Sequence, residues 1–302
     1  MNPFYKDYNE YIGEVFPDMK VQKISVNAGF SCPNRDGTIS RGGCIYCLNE
    51  SFTPGYCMSG KERGVSAQLS AGKQFFARKY PHMKYLAYFQ SFTNTFAPVG
   101  TLESLYSEAI DTEDVVGLVV GTRPDCLPDE TISILGHIAE QKPVFVELGA
   151  ESSHNDTLKR INRGHDWECV CDATRRLHTA GIHVGLHLIA GLPGERPAHV
   201  LETVSRAVSL PVKSLKLHHM QVLRGTPLAR MAENGTADLW LFTLDEYLDL
   251  CCRIIELVPH HICIERFLAS APPHTVLSPK WGLKNHEFTA MLHNRLRAME
   301  GH

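Results

Sequence analysis

The sequence contains no apolar run approaching the roughly 18 residues that a membrane-spanning helix requires, so it offers no helical span. The opening Met1-Asn2-Pro3-Phe4-Tyr5-Lys6-Asp7 also lacks the charged-then-apolar order of a secretory signal, and the expectation is a cytoplasmic protein without a membrane partner. An excess of either charge is missing. With 30 basic and 33 acidic residues the formal net charge is −3, which excludes a global attraction to nucleic acid or anionic lipid and leaves only local basic patches. No low-complexity linker or second composition regime divides the chain into separate domains. The 302 residues are 43% hydrophobic and 21% charged, which suffices for a sizeable core and excludes wholesale disorder. Cysteine, in contrast, is plentiful at ten. A chain of this length in a reducing compartment needs no disulfide stapling, so a tight thiol group points to metal or redox chemistry and scattered thiols to buried, inert ones.

From about residue 21, short β-branched runs alternate with amphipathic stretches, the pattern of βα units around a parallel sheet. Strands are predicted at 21–29, 85–92, 115–120, 144–149, 183–189 and 214–222, and helices at 64–80, 101–110, 128–140, 166–180 and 197–210. The segment 85–92 (YLAYFQSF) is nearly continuous in apolar residues, as a strand buried on both faces should be. Beyond residue 225 the rhythm changes to a long helix at 244–258, a strand at 262–267 and a closing helix at 286–299. The expected organisation is an N-terminal extension (1–20), a core barrel (21–225) and a C-terminal helical and strand extension packed on it (226–302). The expected fold is α/β, a partial, open parallel (β/α)6-type barrel with a C-terminal α/β extension. Chemistry in such barrels sits on the loops after the carboxyl ends of the strands.

Directly after the first strand lie Cys32, Cys44 and Cys47. A Cys-x-x-Cys pair brings two thiolates to one centre through a tight turn, and Gly42-Gly43 before it supplies backbone freedom. Three thiolates on one loop match a cubane iron–sulfur cluster with one iron left free for a ligand. On spacing alone a structural zinc site completed by Cys57, or a chance grouping, remains open. Position favours catalysis, because the loop follows a strand of a parallel barrel. Cys126, just past the third strand, is the best outsider for a redox role, while Cys169, Cys171, Cys251, Cys252 and Cys263 read as buried thiols.

The motifs GFSCPNRDGT with GGCIYC, ELGAESSH with INRGH, and HLIAGLPGE are similar to those of the radical S-adenosylmethionine (SAM) superfamily, and within it of the YhcC/YtqA-type branch, over about residues 20–225. Eleven residues separate Cys32 from Cys44, longer than the commonest superfamily spacing but as in this branch. More distantly, 147–165 resembles the Elongator catalytic subunit and the oxygen-independent coproporphyrinogen oxidase. The resemblance implies a [4Fe–4S] cluster on Cys32, Cys44 and Cys47 that cleaves SAM reductively, giving a 5′-deoxyadenosyl radical for hydrogen abstraction.

The same resemblance implies a set of SAM contacts. Tyr46 would pack near the adenine, or serve simple loop packing. The usual Gly-Gly-Glu after the second strand is replaced by Gln90-Ser91-Phe92-Thr93-Asn94-Thr95, so Gln90 and Thr93 are the candidates for the ammonium. Glu151 would accept from the ribose hydroxyls, and Arg163 would fork onto the SAM carboxylate unless it is a solvated helix-end arginine. His187 would meet ribose or adenine, or be a satisfied core histidine, and the Gly191-Leu192-Pro193-Gly194 turn would let backbone approach the adenine. Gly121-Thr122-Arg123-Pro124-Asp125 falls to the substrate side. The implied partners are a low-potential electron donor of flavodoxin or ferredoxin type and tRNA, with wobble-uridine modification, such as trimming a carboxymethylaminomethyl group, as the reaction. Local basics bear on the tRNA reading: Lys159, Arg160, Arg163, Lys213, Lys216, and Lys280 and Lys284 beside Trp281. The competing readings are a small metabolite such as a tetrapyrrole precursor, and a zinc-stabilised binding protein without turnover.

Overall fold

The computed structural model describes residues 2–48, 64–77 and 82–300. Its strands are β1 (Val21–Val26), β2 (Lys84–Phe89), β3 (Val115–Thr122), β4 (Val144–Glu151), β5 (His183–Ala190), β6 (Ser214–His219), β7 (Val222–Leu223), β8 (Cys263–Arg266) and β9 (Val276–Ser278). The first six pair in parallel and in chain order, and β8 adds to the far edge of β6. The result is one sheet of seven parallel strands, the open α/β barrel expected, with the seventh strand supplied by the C-terminal segment. Among the described residues β1 and β8 are its edges, with Ile264 of β8 also bridged to Asp7 of the N-terminal segment. A short antiparallel ribbon of β7 and β9 stands beside it.

The helices are α1 (Tyr8–Val15), α2 (Pro33–Asp36), α3 (Val65–Ala77), α4 (Val99–Asp111), α5 (Asp129–Ala139), α6 (Asn155–Arg160), α7 (Trp167–Thr179), α8 (Pro197–Val208), α9 (Pro227–Glu233), α10 (Leu244–Leu257) and α11 (Asn285–Glu300). Each boundary has a local cause. Asp166, the first residue of the predicted helix 166–180, is the cap of α7 and accepts from the Cys169 N–H at 2.9 Å. In α10 the Thr243 and Glu246 side chains cap each other's backbone. The predicted strand 85–92 stops at Phe89 because the chain turns, with Phe92 at φ 68. The predicted 214–222 breaks after His219 and resumes as β7. The end of the predicted helix 64–80 and Cys57 lie outside the described residues.

Alternation along each strand decides what the barrel encloses. In β2, Ala87 and Phe89 face the helices, where α4 buries Leu102 and Tyr106; Leu86 and Tyr88 face the interior with Val119 and Phe145. Helix α1 lays Tyr11, Ile12 and Phe16 against that inner group, and Tyr11 bonds His183 Nδ1 at 2.7 Å at the start of β5. The amino end of the barrel is thus closed by protein, each large apolar side chain contributing roughly 1.5–3 kcal/mol. Among the described residues the larger space lies toward the carboxyl ends, and about 10 Å³ remains beside Tyr8, Tyr11 and Phe145. No helix among the described residues is long and apolar enough to cross a membrane.

Candidate active site

The loop after β1 carries the three cysteines. Cys32 caps the single turn α2, with Pro33 as its first residue, and the chain returns through Gly42 and Gly43 to Cys44. Gly43 sits at φ 78, and a Cβ there would come within 2.9 Å of Arg35 Nε, so both backbone and packing call for glycine. The Cys47 N–H donates to the Cys44 carbonyl at 3.0 Å, the tight turn that a Cys-x-x-Cys pair needs.

This loop is sewn to the loop after β4. The Ile45 N–H donates to Ile161 O at 3.1 Å, Asn34 Nδ2 to Asn162 O at 2.5 Å, and Asn162 Nδ2 back to Gly43 O at 2.8 Å. Two donors also reach one sulfur: Asn34 Nδ2 lies 3.5 Å and Arg163 Nη1 3.6 Å from Cys44 Sγ. Arg163 is buried, donates through Nη2 to Gly149 O at 2.5 Å and stands 3.5 Å from Glu151 Oε1, yet its Nε is buried with no partner. Glu151 holds a left-handed backbone, φ 67, where β4 slips register against β5. A non-glycine residue pays for that conformation by roughly 1–3 kcal/mol, a strain concentrated at functional positions. Among the described residues no three His, Cys, Asp or Glu side chains converge closely enough for a single metal ion.

The three cysteines, Arg163 and Glu151 face one cavity of about 250 Å³ at the carboxyl ends of the strands. Cys32, Cys44, Cys47 and Tyr46 line it from the β1 loop, Gln90 and Thr93 from the end of β2, Glu151 and Arg163 from β4 and its loop, and His187 from β5. Every side chain singled out in the sequence as cluster or SAM ligand borders this space. Gln90 is oriented by the Ser25 hydroxyl, which donates to its Oε1 at 2.9 Å. Burial, together with the neighbouring Glu151 and Cys44 charges, pushes the Tyr46 phenol well above its ordinary range.

Residues 37–207 match the family model described as the radical SAM superfamily, and 212–298 match the radical SAM C-terminal domain. The chain belongs to the radical SAM superfamily. It is 40% identical over 263 residues to protein YhcC of Escherichia coli, covering 87% of this chain and 82% of the relative. To the uncharacterized protein YtqA of Bacillus subtilis it is 34% identical, covering 97% and 89%. A 30% match over 123 residues, 40% of this chain and 22% of the relative, reaches a tRNA uridine(34) acetyltransferase of Methanocaldococcus infernus. Among solved structures, Elp3 of Methanocaldococcus infernus with an N-terminal deletion superposes with a TM-score of 0.69 at 17% identity, over 93% of this chain and 64% of that one. Coproporphyrinogen III oxidase of Escherichia coli, a radical SAM enzyme, gives 0.52 at 16% identity, over 80% and 53%. The chain spans less than two thirds of either solved chain, and at these identities both likenesses concern the fold. The protein is a radical SAM enzyme, from a family that generally uses a [4Fe–4S] cluster and SAM.

Beneath the radical SAM cavity lies a charged layer that sequence reasoning missed. Glu147, on β4, accepts from Lys23 at 2.6 Å, Tyr88 at 2.6 Å, His187 Nε2 at 2.7 Å and Lys216 at 3.0 Å. Glu265, on β8, pairs with the same two lysines at 2.9 and 3.1 Å. Burial would raise the Glu147 carboxyl, but Lys216 and Lys23 outweigh it and hold the group well below the usual carboxylate range. A carboxylate only accepts, so the His187 proton sits on Nε2, and burial followed by the Lys216 charge lowers that imidazole's pKa. The contact gives His187 the satisfied role weighed for it, while its ring still borders the cavity.

Several other expectations change. Lys216 is buried inside the barrel and Arg163 is buried against Cys44, so neither is a phosphate contact. Lys213 precedes β6 and stands at the end opposite the cavity. Arg123 forks onto Asp125 at 2.9 and 2.7 Å and donates to Arg163 O, which makes it a brace of the β4 loop. Gly194 holds φ 84, so the turn's own backbone conformation already favours glycine there. Cys126 is buried outside the cavity, and burial, with the Asp125 charge, pushes its thiol up to about 12.

Proposed function

We propose that Cys32, Cys44 and Cys47 hold a [4Fe–4S] cluster and that SAM occupies the cavity beside it. The observation that carries this is the meeting of the three thiols with Arg163, whose buried Nε lacks an acceptor, in a single cavity. Asn34 and Arg163 are set to donate to the Cys44 sulfur and stabilise its thiolate. When bound, the cluster and SAM supply one-electron cleavage of a C–S bond and hydrogen abstraction from an unactivated carbon.

The chain's own residues bind and orient. Arg163 meets the SAM carboxylate, Glu151 the ribose hydroxyls, Gln90 or Thr93 the ammonium, and Tyr46 and His187 the remaining edge of the nucleoside. Phenol and imidazole are both neutral there, which keeps the site free of extra charge. The electron comes from a low-potential donor of flavodoxin or ferredoxin type.

The substrate we propose is a wobble uridine of tRNA, trimmed at a carboxymethylaminomethyl group. Support comes from the relative named for tRNA uridine(34) and from the Elp3 likeness. An enzyme acting on a base extrudes it into a pocket, and the cavity at the carboxyl ends of the strands is the space available to it. Lys159, Arg160, Arg224, Lys280 and Lys284 are exposed basics available to meet phosphate. The test is anaerobic reconstitution followed by SAM cleavage with and without tRNA. The expected result is one cluster by iron and sulfide count, retained in Cys57→Ala, with cleavage faster in the presence of tRNA and weakening steeply with salt. Cleavage indifferent to tRNA would turn the assignment to a small metabolite.

A further inference from the structure

Among the described residues the charged groups lining the cavity are ion-paired except Arg35, which donates to the Cys47 carbonyl on the cysteine loop, and Arg266. Lys216 is held by Glu147 and Glu265, Arg163 stands by Glu151, and Arg123 is locked on Asp125. Arg266, the last residue of β8, has no ion pair among the described residues, and its Nε is buried without an acceptor. It lines the cavity wall, as do His218 and Gln221. Gln221 Oε1 is likewise buried with no donor. Burial first, then the Arg266 charge, hold the His218 imidazole well below its ordinary range, so it adds no second positive charge beside the guanidinium.

Arg266 as a whole is half-buried, but orphaned buried polar atoms such as its Nε and the Gln221 Oε1 are uncommon in native proteins. A single ligand satisfies both: an anion on Arg266 and an N–H on Gln221. The surplus on this wall is one positive charge, which matches a monoanion, and a guanidinium fork matches the planar carboxylate. We propose that Arg266, Gln221 and His218 form a subsite for a carboxylate-bearing substituent with a neighbouring N–H on the substrate. A backbone phosphodiester stays with the ribose chain outside the mouth, whereas a base substituent reaches this depth. The subsite deepens the uridine reading and rests on it only for the choice of RNA probe.

The test uses the reconstituted enzyme saturated with SAM, so that the methionyl site is filled. N-methylglycine at high millimolar concentration is compared with dimethylamine at equal ionic strength in thermal melts. Stabilisation by N-methylglycine alone, lost in Arg266→Gln, is expected; no stabilisation of the native enzyme overturns the subsite. In the second arm, anticodon stem-loops carrying 5-carboxymethylaminomethyluridine or 5-aminomethyluridine are titrated. The carboxylate form should bind about ten-fold tighter or more, the scale of a charged hydrogen bond, and Arg266→Gln should erase the difference while leaving the aminomethyl affinity unchanged. Equal losses for both stem-loops, or none, count against Arg266. Binding of neither stem-loop by an enzyme that N-methylglycine does stabilise sinks the tRNA reading and leaves the subsite standing. Arg266→Lys keeps the charge without the fork and should fall between, and intact cluster absorption and SAM affinity establish that the variants are folded.

Discussion

The two ends of the barrel interior are built from the same strands and serve opposite purposes. At the amino end Leu86, Val119 and Phe145 meet Tyr11, Ile12 and Phe16 of α1, and the space is filled by protein. At the carboxyl end the same inward positions carry Gln90, Glu151 and Lys216, and about 250 Å³ stays open. Apolar packing at one end supplies the stability that lets the other keep a strained Glu151 and orphaned guanidinium atoms.

That contrast is tested most severely by paired substitutions. Cys44→Ala should abolish the reconstituted cluster's absorption and SAM cleavage altogether while leaving the chemical unfolding midpoint of the cluster-free protein nearly unchanged. Phe145→Ala should do the reverse, lowering stability by roughly 3–5 kcal/mol through an unfilled cavity with cluster content per folded molecule preserved. Loss of both properties in either variant would show that plug and mouth are one cooperative unit.

The charged layer between the ends gives the next largest effect. Glu147→Gln leaves Lys23 and Lys216 short of a counter-charge and should cost about 3–5 kcal/mol in urea unfolding, the scale for breaking a buried pair. Its pH dependence has a definite sign. A carboxyl held below its unfolded value of about 4.3 stabilises the fold fully above that pH and loses the contribution as pH falls further. Native stability should therefore drop on acidification below about pH 4, and Glu147→Gln should flatten that drop; an unaltered slope would reassign it to other carboxylates. The smallest expected effect is at the mouth. Arg163→Ala should weaken SAM binding by roughly 2 kcal/mol in equilibrium titration with the cluster spectrum retained, and unchanged affinity would remove Arg163 from the SAM site.

Much of the mouth was legible in the sequence because its signals are local. Cys32, Cys44 and Cys47 lie on one loop, and Glu151 and Arg163 follow one strand, so βα periodicity alone brings them to the same end. The charged layer was not legible. Lys23, Glu147, Lys216 and Glu265 come from four strands, and alternation within a strand says nothing of what lies across the barrel. Lys216 looked like a solvated basic residue for that reason, and Glu147 passed unnoticed inside an apolar run. Arg266 escaped because β8 looked like part of an appended segment, when hydrogen bonding makes it a wall of the site.

The ion pair from Lys23 to Glu265 joins β1 to β8 across the open edge of the sheet, between residues 242 apart in the chain. Every other neighbouring pair of strands from β1 to β6 is consecutive in sequence. During synthesis those strands are able to add one after another, each closing a modest loop, whereas this clasp must wait for nearly the whole polypeptide to emerge. Until it forms, Lys23 has Glu147 as its only carboxylate partner, and the nascent barrel carries a polar, unfastened edge that discourages pairing with a stray strand from another chain.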